Sequence, residues 1–351
     1  MDATELFRAT FRQNAALLTH SYDPALDSVL IVRTEERDYR AAGFLDGRML
    51  RPELTTQWIP WTQLEAIAGP LPASAGWIFH IGHVGSTLIS RLLGELPGFF
   101  PVREPQILRT LAELHQSIAR PESYWPPDAF APRLQTVAGW LSRSFAAGDT
   151  AVVKASSFVS EIAPSIHRPG GKALLLYVRP EVYLATILGG PASRRETAAL
   201  AGARLARLHG RLGREDWKLW QLGLGERVAL SWACEMTALH RAAEAMGEDA
   251  LWMDFDAFLA APAQALAKIA AHFGKPPSPG VAAAAVAGPT MHSYSKAQEH
   301  PYTPEVRQQV LQQARVEHKQ ALRDGLAWLD AAAKAHPAIG QACGIAAEGG
   351  K

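Results

Sequence analysis

The stretch GWIFHIGHVGSTLISRLLGEL, residues 76–96, constrains the fold more than any other part of the chain. GWIFHI (76–81) is a continuous apolar run of strand length, as a strand buried on both faces requires. Leu88, Ile89, Leu92, Leu93 and Leu96 then recur at the spacing of one helix face. Between them lie Gly82, Gly85, Ser86 and Thr87, so the unit reads as strand, glycine loop, helix. The N–H groups and dipole of a helix N-terminus favour an anion, and glycines let the backbone approach it. The Walker A pattern G-x-x-x-x-G-K-[ST] fails at two positions, where Ser86 replaces the lysine and His80 the first glycine. The unit is therefore either a phosphate cradle that does not specify ATP or a tight turn with a Ser/Thr cap.

The rest of the chain decides which sheet such a unit joins. TAVVKAS (150–156), KALLLYV (172–178) and LWMDF (251–255) are further strand candidates, and helical patterns run at 105–119, 128–146, 180–246 and 304–334. FDAFLAAPAQALAKIAAHFG reads as an amphipathic helix closed by Gly274 and Pro276. Strands alternating with helices predict an α/β fold of three layers, α/β/α, around a central parallel sheet, with a helix-rich C-terminal half. SVLIV (28–32) and WIPW (58–61) predict a small β-containing N-terminal lobe. The domain division is then a lobe at 1–70, an α/β domain at 71–340 and a disordered small-residue tail at 341–351.

Two charged landmarks favour the cradle over the plain turn. Lys154 sits at the C-terminal end of its strand, where open α/β sheets place ligands, rather than mid-strand, where a buried ammonium is costly. Arg179 closes the strand LLLYV, and Thr186 follows seven residues later on the next helix. An arginine at a strand end and a hydroxyl on the following helix can both reach one phosphate.

HIGHVGSTL, then VVKAS, then LLLYVRPEVYLAT resemble, in that order, the sulfotransferase family, and most closely its divergent bacterial members. The resemblance covers residues 76–190 and extends weakly over LWMDFDAFLAAPAQALAKIAAHFGKP. It implies a P-loop-kinase-like fold and transfer of a sulfuryl group from 3′-phosphoadenosine 5′-phosphosulfate (PAPS), without metal, to a hydroxyl or amine of a small-molecule, sugar or lipid acceptor. The family loop of type P-K-S-G-T-T, which binds the 5′-phosphosulfate, corresponds to Gly82, His83, Val84, Gly85, Ser86 and Thr87, with Leu88 following. The arginine and serine that hold the 3′-phosphate correspond to Arg179 and Thr186. The chain departs from the pattern in three places. His83 replaces the loop lysine, Ser156 stands where many cytosolic members carry a catalytic histidine, and the arginine-to-hydroxyl spacing is one residue shorter.

Sulfuryl transfer needs in-line geometry and cations for charge spreading onto the non-bridging and leaving oxygens. Lys154 is the candidate for the bridging oxygen or the sulfuryl group, with His83 a second donor when protonated. Glu104, in FPVREPQIL after the second strand, is the candidate base, against the plainer reading of an acid at a helix N-terminus. His80, flanking the loop, reads as a core histidine with one nitrogen satisfied, against a catalytic role. In MHSYSKAQEHPYT (291–303), Ser295 and Lys296 are candidates for nucleotide contact from a lid, against a plain solvated loop. Arg204, Arg207, Arg211 and Arg214 read as a solvated helix face opposite Leu205, Leu208 and Leu212, against a surface for an acidic acceptor or partner. Asp254 at the end of LWMD imitates a Walker B acid, which keeps a kinase or NTPase reading open beside that of a non-catalytic adenylate binder.

Charge and cysteine usage narrow the setting. Thirty-five Lys and Arg against 34 Asp and Glu leave no basic excess for nucleic-acid binding. Cys234 and Cys343 form no CxxC or Cys/His cluster, so the expectation is no disulfide, no metal and a cytoplasmic setting. No run of about 18 apolar residues predicts a membrane span. The expected partner is a small-molecule acceptor, with the chain a monomer or a homodimer.

Overall fold

The structure is a computed structural model and describes residues 2–292 and 303–349. The chain opens with helix α1 (Ala3–Gln13), followed by strands β1 (Leu17–Asp23) and β2 (Ser28–Arg33). Helix α2 (Glu36–Ala41) and a short 3-10 turn lead to β3 (Thr56–Pro60) and α3 (Trp61–Ala68). β1, β2 and β3 form a three-stranded antiparallel sheet, the β-containing lobe expected of this region. WIPW splits across a boundary, its first three residues ending β3 and Trp61 opening α3.

The larger sheet has five parallel strands: β4 (Gly76–His80), β5 (Phe99–Arg103), β6 (Thr150–Lys154), β7 (Ala173–Tyr177) and β8 (Ala250–Asp254), in the order β5-β6-β4-β7-β8. β4, β5 and β7 are buried along their whole length, which explains why GWIFHI and KALLLYV read as unbroken apolar runs rather than alternations. Between strands lie α4 (Ser86–Glu95), α5 (Gln106–His115), α6 (Pro127–Leu141), α7 (Ala163–Ile166), α8 (Pro180–Gly189), α9 (Pro191–Leu212) and α10 (Leu224–Met246). The chain runs from β4 outward to β5, returns to β6 beside β4, and then crosses to β7. Right-handed crossovers therefore place α4 on one face and α5 to α10 on the other, the predicted three layers. The ligand crevice of such a sheet lies at the C-terminal ends of the strands, where the order reverses around β4.

After β8, α11 (Phe255–Ala260) and α12 (Pro262–His272) replace the single amphipathic helix expected there, because Pro262 starts a new helix rather than continuing the old one. α13 (Val281–Ala287), α14 (Pro304–Glu317), α15 (Lys319–Ala335) and α16 (Pro337–Glu348) complete the chain. The expected helix at 304–334 is thus two helices that part at His318. The tail at 341–351, expected to be disordered, is helical as far as Glu348, with Ile339, Ala342 and Ala346 fully or almost fully buried. Small side chains here allow close packing on α10 and α15, and alanine favours helix.

The arginine row on α9 does not face water. Arg204 and Arg207 are buried against Glu235 of α10, at 3.1 and 2.7 Å, and Arg211 pairs with Glu161. Burial opposes ionisation of Glu235, but the guanidinium groups of Arg207 and Arg204 outweigh it and hold its pKa below the ordinary value. Arg214 alone of the four is exposed, and it lies past the end of the helix. No helix among the described residues is long and apolar enough to cross a membrane.

Candidate active site

The β4 strand delivers the glycine loop to the C-terminal edge of the sheet. Gly82 and Gly85 take φ values of 82° and 68°, and Gly85 caps α4. A Cβ on Gly85 would lie 2.0 Å from the Phe255 ring, so both backbone and space demand glycine. His83 holds φ 54°, a strained value for a side-chain-bearing residue. Below the loop, His80 is 4 % exposed. Its Nδ1 accepts the Gly82 N–H at 2.9 Å, which puts the ring proton on Nε2, 2.8 Å from the Ala155 carbonyl. Both nitrogens, rather than the expected one, are engaged, and His80 ties the loop to the end of β6. Val84 is fully buried and anchors the loop, while Ser86 and Thr87 open α4 and Leu88 reaches the cavity wall. The Thr87 hydroxyl is buried without a hydrogen-bond partner among the described residues. An orphaned hydroxyl at a helix N-terminus is the donor that a bound phosphate would satisfy, so the residues present fit a 5′-phosphosulfate.

β6 lies beside β4, with Lys154 opposite Ile78, and on its other side Arg103 of β5 is opposite Lys154. Glu104, the residue after β5, therefore arrives next to Lys154. It turns there through φ 48°, its N–H donates to the Lys154 carbonyl at 2.6 Å, and its carboxylate forms an ion pair with the Lys154 ammonium. The Ser156 hydroxyl donates to the other carboxylate oxygen at 3.0 Å. Lys154 is 1 % exposed, and an ammonium so far from solvent needs a carboxylate partner. Lys154 and Glu104 are thus one unit, a pairing that their separate positions in the sequence do not reveal.

The remaining sequence candidates are placed unevenly. His83 lies 3.4 Å from the Ser193 hydroxyl through Nδ1 and 3.4 Å from the Glu196 carboxylate through Nε2, both on α9. Thr186 lines the same cavity as the loop, its hydroxyl donating to the Val182 carbonyl at 2.7 Å. Arg179 stands exposed at the N-terminus of α8 and does not line that cavity, so the two are not gathered on its wall. Ser295 and Lys296 lie outside the described residues. Asp254 is on β8, not beside β4, and its carboxylate accepts the Asp256 N–H at the start of α11. Burial raises its pKa.

These elements enclose a cavity of about 780 Å³, within the range of small-molecule sites. Its wall includes residues that sequence reasoning passes over: Phe44, Asp46 and Arg48 from the N-terminal lobe, Arg109 on α5, Phe158 after β6 and Arg307 on α14. The lobe segment is held there because Leu45 donates to the Arg103 carbonyl at 2.7 Å and accepts from the Gln106 N–H at 3.0 Å. Burial opposes ionisation of Asp46, but hydrogen bonds from Arg48 overcome it and hold its pKa low. Arg307 is paired with Asp256 at 2.7 Å. Among these residues only Arg109, an isolated cation early in a helix that begins two residues after Glu104, carries a sequence signal that could have marked it.

No family model matches the chain, and no curated protein sequence matches it. In structure it is similar to the sulfotransferase domain from the curacin biosynthetic pathway, with 11% identity over 71% of this chain and 99% of that one, at a TM-score of 0.40. It is also similar to the sulfotransferase domain of the Synechococcus PCC 7002 olefin synthase (12% identity, 69% and 86% covered, TM-score 0.38). A sulfotransferase from Alicyclobacillus acidocaldarius is a third (15% identity, 72% and 97% covered, TM-score 0.34).

Proposed function

We propose that the chain is a sulfotransferase that uses PAPS and modifies a hydroxyl or amine. The observation that carries this reading is the Lys154–Glu104 pair at the ends of β6 and β5, beside a lysine-free glycine loop at the end of β4. PAPS supplies an activated sulfuryl group, whose bond to the phosphate oxygen breaks as the bond from sulfur to the acceptor forms. The loop from Gly82 to Thr87 holds the 5′-phosphosulfate with backbone N–H groups and the Thr87 hydroxyl. Lys154 places its charge at the oxygen that becomes negative on leaving, and His83 adds a second donor when protonated. Glu104 takes the proton that the acceptor loses, once Lys154 has turned from it toward the cofactor. Thr186 is assigned to the 3′-phosphate from the cavity wall, and Arg179, which stands outside that wall, would join it by turning inward from the N-terminus of α8. The kinase alternative lacks the loop lysine, and its would-be metal acid, Asp254, is occupied in capping α11.

Thermal denaturation in adenosine 3′,5′-bisphosphate, compared with ATP and Mg²⁺, tests the cofactor. A ligand that binds only the native state at a hundred times its Kd adds about 2.7 kcal/mol of stability. The bisphosphate should raise the Tm and ATP should not, whereas stabilisation by ATP with Mg²⁺ alone sinks the reading. Lys154→Ala should then abolish transfer of labelled sulfate from PAPS while retaining bisphosphate binding.

A further inference from the structure

On the acceptor side of the cavity, most of the charges among the described residues are paired, and Arg109 is not. Glu104 is held by Lys154 and Ser156. Asp46 accepts from the Arg48 backbone at 3.0 Å and from its guanidinium at 2.6 to 3.1 Å, so its oxygens are committed. Arg109 makes no hydrogen bond or ion pair with the described residues, and only at longer range does its charge help to hold the Asp46 carboxyl low. It is half-buried in the cavity wall, its Nε is shielded from water, and no hydrogen bond reaches that nitrogen from the described residues. No carboxylate among those residues lies within 4.0 Å of its guanidinium, which sits over the Phe158 ring at 5.3 Å from the centroid. Leaving such a group unsatisfied is costly, and a guanidinium presents a fork that matches an oxyanion.

The surroundings define what could carry that oxyanion. Arg109 follows Glu104 by five residues and Phe158 follows Ser156 by two, so both flank the group assigned to the chemistry rather than the nucleotide loop. Across from them the Phe44 ring lies between the Arg48 guanidinium, at 3.6 Å, and the Lys154 ammonium, at 5.6 Å. Two aromatic faces and one unmatched guanidinium beside a proton acceptor describe a site for an amphiphilic anion. Resting on the sulfotransferase reading, we propose that the acceptor is a hydroxy or amino compound with an apolar body that packs on Phe44 and Phe158. It ends in an oxyanion that pairs with Arg109. Neutral phenols, alcohols and amines of the same shape are poor acceptors, because they leave the half-buried guanidinium unpaired in the cavity wall.

The test uses matched pairs that differ only in charge: 4-hydroxyphenylacetate against its amide, and 12-hydroxydodecanoate against its amide. Binding is measured by calorimetry and turnover from PAPS. In the unaltered protein at least one acid should exceed its amide by tenfold or more in affinity and in kcat/KM, with the difference mainly in KM. Arg109→Met keeps an unbranched side chain of similar length without the charge and should bring the ratio toward one, whereas Arg109→Lys should retain most of it. A ratio near one in the unaltered protein for both pairs, or no binding of any of the four compounds, overturns the proposal. So does an Arg109→Met variant that keeps the preference for the acid. Adenosine 3′,5′-bisphosphate binding, read on the same proteins, separates this from the parent reading. An Arg109-dependent preference for acids in a protein that does not bind the bisphosphate leaves the anion site standing and removes the sulfotransferase assignment.

Discussion

Glu104 combines backbone strain with a committed side chain. A left-handed φ of 48° in a glutamate costs about 1–3 kcal/mol, a cost typically tolerated where function needs the geometry. Here the turn aims the carboxylate back at Lys154 and Ser156 instead of letting it run on into α5. Glu104→Gln preserves the shape and the bond from Ser156 but removes the proton acceptor. It should lower kcat by about 10²- to 10⁴-fold, the usual worth of a positioned general base, while bisphosphate affinity changes little. Steady-state kinetics beside calorimetry checks this, and near-normal turnover in Glu104→Gln would move the base elsewhere. The neighbouring His83 makes a different point. Its strained backbone and its contacts with Ser193 and Glu196 tie the loop to α9, so it does more than fill the space of the missing lysine.

At the scale of elements, the loop between β4 and α4 is shaped as much by α11 as by its own residues. Phe255, the first residue of α11, closes over Gly85 so tightly that no side chain fits beneath the ring. Gly85→Ala meets both that ring and a φ of 68°, and should cost about 1–3 kcal/mol, together with the Tm rise from bisphosphate. Gly202 on α9 is the contrasting case, since it is exposed with nothing near its Cβ position. Gly202→Ala should stabilise the protein by about 0.5–1 kcal/mol through helix propensity. Chemical denaturation of the two variants side by side reads both signs. If Gly85→Ala were as stable as the parent and still bound the bisphosphate, the loop would not have the cradle geometry assigned to it.

Across the whole molecule, the helical layer is joined by ions as well as by apolar contact. Glu235 is fully buried between Arg204 and Arg207, and deleting it leaves the buried Arg204 without a carboxylate and Arg207 with only Glu161, at 3.6 Å. Glu235→Ala should cost about 3–5 kcal/mol. Its pKa is lowered in the folded state, so the carboxylate contributes stability above its ordinary value of 4.5, and that contribution is lost as pH falls through the folded-state value. The denaturation midpoint of the parent should therefore drop more steeply on acidification below 4.5 than that of Glu235→Gln, and parallel curves would deny the linkage. The same network shows where sequence reading stops. A row of arginines at helical spacing has one pattern whether it faces water or a carboxylate 31 residues away, and only packing chooses between them. What the amino-acid sequence determined by itself was local. Unbroken apolar runs specified β4, β6, β7 and β8, and glycines before a helix specified the loop, because periodicity and backbone freedom act over a few residues. Lys154 and Glu104 were each legible from their places at strand ends. Their pairing was not, since it needs the order β5-β6-β4 to bring residues 50 apart into contact. The wall of Phe44, Asp46 and Arg48 belongs to tertiary structure alone. Two backbone hydrogen bonds of Leu45 hold the N-terminal lobe against the end of β5, and no local pattern encodes a contact between chain segments so far apart.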